Sequence, residues 1–393
     1  MKKNRYIKRI EAGLVSFKNS AVPVLSKKAV LKIRGRRITY RPAAAAVILA
    51  VILIIAAVFA SFTAGGTADV SIAFDTNDGC KTLQSGSNII AYSNRGASAV
   101  DSKGRIKWNI EKELSQPMAE TEGSYLLLAD LAGNHYAASY KNGKLQNEYK
   151  LGSDIISGKI TKNGYAVFAT DTDGYKGRVT VFNSRGREIY VWNSGSGYVT
   201  DVAATDNGRY IAVAQLVTSG GDTDTKIQII DTGKGEVIAS ADRAGEVTAS
   251  VRFASANKLV AVTDSHIAAY SRGGKQLFDI SLTGKNPSLY CIGGDDRIGV
   301  VTVDNKGNSV LEMYSYSGKL KGSYTASGDI RAIDVRGRGA AVVEQKGIVR
   351  VTERGKGKAA VTVEHDIKNI GLFPGGRRVL VIGTSQAECL TLR

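Results

Sequence analysis

The chain has 393 residues, enough for two ordinary domains or one large all-β domain, so length leaves the domain count open. Its 44 glycines against 5 prolines, with Val, Ile, Thr and Tyr frequent, favour many strands joined by tight glycine turns and speak against a helical fold. The formal charge of +17 is uneven: residues 1–42 hold 13 Lys or Arg against one acid, Glu11, while the remaining 40 Lys or Arg face 35 acids, leaving the body at only +5. A nucleic-acid partner is thereby disfavoured, because the basic tail brings no stacking aromatics or recognition fold with its charge.

That tail, residues 1–42, is the first predicted segment. Ile7, Ile10, Leu14 and Phe17 fall at spacings of three, four and three, which would give a helix one apolar stripe, with Lys8, Arg9 and Lys18 beside it to meet anionic lipid. The alternative is a disordered tail that only orients insertion. Residues 43–64, AAAAVILAVILIIAAVFASFTA, are uncharged, long enough as a helix to cross a hydrocarbon core of roughly 30 Å, and longer than the core of a cleaved signal peptide. They are predicted to be one transmembrane helix in the lipid bilayer of the cell membrane. The basic cluster from Lys27 to Arg41 keeps the amino terminus cytoplasmic and sets residues 65–393 outside the cytoplasm.

Beyond this span the chain repeats itself. Two short strands around a glycine turn recur as VDSKGRIKW (100–108), ASYKNGKLQNEY (138–149), TVFNSRGREIYVW (180–192), QIIDTGKGEVIAS (228–240), AAYSRGGKQLFDI (268–280), EMYSYSGKLKGSY (312–324) and RVTERGKGKAAVTV (350–363). Anchored on Gly104, Gly143, Gly186, Gly235, Gly274, Gly318 and Gly357, the intervals run from 39 to 49 residues, the period of a four-stranded propeller blade. Two further strands precede each hairpin. The second of them is a continuous apolar run, such as SYLLLAD, RYIAVAQLV or GAAVVE, as a strand needs when neighbouring blades cover both faces of its sheet. After the seventh hairpin, DIKNIGLF, RRVLVIG and AECLTLR supply three strands of an eighth blade. The segment DVSIAFD (69–75) is predicted to add the fourth by pairing with 387–393, closing the ring and removing its edges. The fold class is therefore all-β: an eight-bladed propeller over 65–393 or, if 69–75 is only a linker, a seven-bladed one.

The stretch DSKGRIKW, Asp101 to Trp108, resembles the Asp, Gly-Lys/Arg, Trp cadence of pyrroloquinoline-quinone-type propeller repeats, with the Trp kept only at Trp108 and Trp192. A basic tail, one span and such a propeller is also similar to an uncharacterised family of membrane-anchored propeller proteins of Gram-positive bacteria, which implies location and shape but no activity. The propeller lipoprotein of the outer-membrane assembly machinery, a protein-binding scaffold, is a more distant analogue, and this chain has no lipidated Cys at its start.

No catalytic, cofactor-binding or metal-binding residue is assigned. Trp108 and Trp192, both predicted on outer strands, cannot sandwich a quinone, and His135, His266 and His365 belong to different hairpins. There is no Gly-x-Ser-x-Gly elbow. Cys80, Cys291 and Cys389 read as buried thiols, with a Cys80 to Cys389 bridge as the alternative. DTNDG (75–79), DTDG (171–174) and the pair Asp222 and Asp224 resemble the opening of a Ca²⁺ loop without its distal Glu, and turn chemistry accounts for them. Lys103, Arg105, Lys141, Lys144, Arg185, Arg187, Lys319, Lys321, Arg354, Lys356 and Lys358 crowd the hairpin tips, either as solvated turns or as a positive rim for anionic wall polymers or lipid headgroups. The function predicted is a non-enzymatic scaffold that binds another protein or an envelope component through loops on one ring face. Two rivals stand beside it: a glycan-active enzyme with a carboxylate pair in the channel, drawn from Asp201, Asp329 and Asp334, and a sensor signalling through the span.

Overall fold

A computed structural model describes residues 79–393 except positions 132, 134, 220, 294, 346, 359, 385 and 393, together with the strands at 29–33, 36–40 and 68–70. The predicted span 43–64, the stripe from Ile7 to Phe17 and residues 71–78 lie outside the described residues. Among those described, no helix is long and apolar enough to cross a membrane. The chain divides into two compact units, Met1–Gly65 and Gly66–Arg393. Within the first, Ala29–Ile33 pairs antiparallel with Arg36–Tyr40.

The second unit is a ring of eight antiparallel sheets. Blades 1 to 6 cover residues 81–111, 117–150, 155–193, 198–243, 248–281 and 289–325, each with four strands in sequence order. In blade 7 (332–361) the fourth strand shrinks to two isolated bridges, Val351 to Gly357 and Ile348 to Val361, as the poor strand formers of KGKAA (356–360) dictate. Its turn sits at Gly355, two residues before the glycine expected from the repeat. Blade 8 takes three strands from 367–391 and its outermost from Ala68–Val70, which runs antiparallel to Ala387–Thr391 with Ala68 opposite Cys389. The propeller thus has eight blades, the larger of the two expected counts.

Second strands form the core, as their unbroken apolar runs require: Ile89–Ala91, Leu126–Ala129, Ala166–Ala169 and Val379–Ile382 are all buried. Each large aliphatic side chain so placed contributes roughly 1.5–3 kcal/mol. Recurring turn glycines do two jobs at once. Gly143 (φ +78°) and Gly318 (φ +79°) hold left-handed backbone, and a Cβ there would lie 2.4 Å from Trp108 and 2.5 Å from Phe278, on the outer strand of the preceding blade. At these two turns the glycine is an inter-blade contact as well as a bend.

All three cysteines are free. Cys80 lies beside Lys81 and Tyr92, whereas Cys389 reaches the Asp101 carbonyl at the other end of blade 1. About four to five strand residues, roughly 15 Å, separate these levels, too far for a bridge.

Candidate functional site

Eight first strands face one another around the ring axis, and with a side-chain period of two every other residue of each enters the channel. Glu120 and Glu122 come from Pro117–Glu122, Lys159 from Ile155–Ile160, Asp201 from Tyr198–Ala204 and Arg252 from Thr248–Ser255. Lys159 forms an ion pair with Glu120 and lies 3.8 Å from Asp201. Burial opposes its charge, but the two carboxylates outweigh burial and raise its pKa above the ordinary lysine value. Arg252 of blade 5 crosses the channel to Glu122 of blade 2, a pair left half-buried.

Two of the three carboxylates expected in the channel are on first strands. Asp201 accepts from Ser157 Oγ (2.6 Å) in blade 3 and from Val251 N (2.9 Å) and Ser250 Oγ (3.2 Å) in blade 5. Asp334 of blade 7 accepts from Leu372 N (2.6 Å) in blade 8, from Gln84 Nε2 in blade 1 and from Cys291 Sγ (3.6 Å) in blade 6. Burial lifts the Asp334 carboxyl to about 6 despite the Leu372 and Gln84 donors that oppose the shift. Asp329 is exposed in the loop before the first strand of blade 7, Ala332–Arg336, and joins neither. These carboxylates stitch neighbouring blades together; their oxygens are engaged by the ring itself.

Antiparallel order puts the turns between strands 1 and 2 and between strands 3 and 4 on one side of the ring, the hairpin face. Loops between strands 2 and 3, and those linking blade to blade, share the other, the link face. At the link-face mouth of the channel stand Ile156, Tyr198, Val247 and Tyr290, each 39–55% exposed and each at or near the start of a first strand in four consecutive blades, 3 to 6. Tyr290 also donates to Ala249 O (3.2 Å), tying the arc together, and Lys176 Nζ lies 4.3 Å from the Tyr198 ring centre. Between Lys81 and Thr391 the link-face loops carry 7 Lys or Arg against 10 Asp or Glu, net −3. Four large apolar or aromatic side chains thus stand exposed on successive blades of one face.

The remaining sequence candidates stay apart. His135 lies 3.7 Å from Asp154, His266 3.1 Å from Glu246 and His365 3.0 Å from Glu388, in separate parts of the ring. Among the described residues no group of His, Cys, Asp or Glu is gathered as for a metal ion. Trp108 and Trp192 are on the outer strands Ile106–Glu111 and Glu188–Asn193.

Solved structures share the architecture. The computationally designed Ika8 protein superposes with a TM-score of 0.61 at 13% identity, and the C-terminal WD40 domain of Sif2 with 0.57 at 12%; each match covers 83% of this chain and 100% of the other. At such identities the likeness is one of fold alone. Sequence comparison found no match to a curated protein. A family model does match, over residues 65–392, and the chain accordingly belongs to DUF5711, a family of unknown function.

Proposed function

We propose that this chain is a membrane-anchored, extracytoplasmic β-propeller that serves as a binding scaffold, not an enzyme, and that the link-face mouth receives a protein partner. The observation that carries the reading is the arc of Ile156, Tyr198, Val247 and Tyr290 on four consecutive blades. Exposed aromatic and aliphatic anchors set in an acidic surround are what a protein interface concentrates its affinity in. Beneath them the charged groups of the channel serve each other: Lys159 with Glu120 and Asp201, Arg252 with Glu122. Anchoring is supported by the uncharged run at 43–64 and by the basic cluster before it.

A photo-crosslinking residue at position 198 of the full chain in native membranes tests the reading. One recurring protein species should be captured, and the purified species should bind the reconstituted chain about tenfold or more weakly after Tyr198→Ser with Ile156→Ser. Capture no greater than from a crosslinker at Ser184 on the hairpin face, or turnover of a glycan by the purified chain, would overturn it.

A further inference from the structure

We propose that the hairpin face of the propeller lies flat on an anionic lipid surface, leaving the link-face mouth pointing away from the bilayer. This rests on the reading of residues 43–64 as a span, and three separate features of the ring lead to it.

The first is the direction of the outermost strand of blade 8. Ala68 pairs with Cys389, near the end of the third strand, and Val70 with Ala387, near its start. Thr391 in turn pairs with Arg378, just after the turn 373–377 between strands 1 and 2, and Leu392 N bonds Arg377 O. The Ala68 end of this strand therefore belongs to the hairpin face, and the chain coming from residue 64 reaches the ring there. Only Gly65, Gly66 and Thr67 intervene, at most about 10 Å of extended backbone. The strand that completes blade 8 thus starts on the hairpin face, the face the proposal turns toward lipid.

The second feature is charge. Between Lys81 and Thr391 the hairpin-face turns carry 14 Lys or Arg against 5 Asp or Glu, net +9, whereas the link face is net −3. The difference is polarised across the ring in the sense an anionic surface selects. The third feature is a row of exposed aliphatic residues just beyond the hairpin turns: Leu145, Ile189, Val237, Leu277 and Leu320, one in each of blades 2 to 6 and each within the first two residues of an outer strand. Single aliphatics flanked by Lys and Arg suit the headgroup boundary, where apolar side chains enter and cations stay at phosphate level. Their row centres on blade 4, opposite blade 8 in a ring of eight. The Ala68 end of blade 8 and the aliphatic row thus stand on opposite sides of the ring.

The test uses the full chain reconstituted into vesicles of phosphatidylcholine alone or with ~30% phosphatidylglycerol, the anionic component the charge calls for. A bimane fluorophore is placed at Ser184→Cys, exposed on the hairpin face, or at Asn305→Cys, exposed on the link face, and quenched by headgroup-spin-labelled lipid. Partly exposed Cys291 is replaced (Cys291→Ser) in every labelled chain; Cys80 and Cys389 are buried, and burial pushes both thiols up to about 12, so they escape labelling. Quenching at position 184 should exceed that at 305 by about threefold or more in anionic vesicles. The triple reversal Arg185→Glu, Arg187→Glu and Lys319→Glu should bring the ratio close to one while far-UV circular dichroism stays unchanged. Equal quenching at the two sites, or stronger quenching at 305, overturns the orientation. Release of the chain from vesicles by alkaline carbonate would instead sink the span and the orientation together, so the two failures are distinguishable.

Discussion

Asp201 and Asp334 are both buried on first strands, and each binds across to the blades on either side, yet they sit in different electrostatic surroundings. Near Asp201 the preceding blade supplies a cation, Lys159; beside Asp334 it supplies a thiol, Cys291. The closest partners of Asp334, Gln84, Leu372 N and Cys291, are all neutral, and burial pushes its carboxyl up to about 6. At Asp334 burial outweighs the hydrogen-bond donors around it and leaves a titrating carboxyl in the channel wall.

Three changes sharpen or break this contrast. Asp201→Ala removes one acceptor from three donors and a counter-charge from Lys159, and should cost about 3–5 kcal/mol in denaturant unfolding; a loss below about 1 kcal/mol would show that the stitch is not structural. Asp334→Asn should act through pH. The folded pKa of Asp334 is raised from 3.8 to about 6, so its contribution to stability is complete below about pH 4 and is lost as pH rises past about 6. Relative to the Asn variant, the wild-type chain should therefore lose about 3 kcal/mol between pH 4 and 7.5, measured by unfolding at both values, whereas a pH-independent difference would remove Asp334 from the titrating class. Arg252→Met breaks the half-buried pair across the channel, where water screens both partners, and should change stability by about 1 kcal/mol or less. A larger loss would place Arg252 with the Asp201 cluster.

Much of the ring was legible from residues. Turn glycines at 39 to 49 residue intervals marked the hairpins, and at Gly143 and Gly318 the preceding blade leaves no room for a side chain. Continuous runs such as Tyr125–Asp130 marked the second strands because both sheet faces are covered. The channel was only partly legible. Asp201 and Asp334 stood out in apolar strands, but Asp329 did not belong with them, since the strand begins three residues later at Ala332. Glu120, Glu122, Lys159 and Arg252 were missed. PMAETE reads as a polar loop, and its partners lie 39 residues away at Lys159 and 130 away at Arg252, a juxtaposition only the closed ring creates. The link-face arc left one faint signal: a large exposed residue at or near the first-strand start in four successive units.

Ala68 and Cys389 are neighbours in blade 8 yet 321 positions apart in the chain. Closing a loop of that length costs on the order of 5 kcal/mol in chain entropy, which the packing of blade 1 on blade 8, Thr82 on Asn369 and Ile89 with Leu380, helps to offset. Without the contact, the third strand of blade 8 would be a bare sheet edge open to mispairing. Once made, this three-residue seam covers the edge that the ring would otherwise leave open.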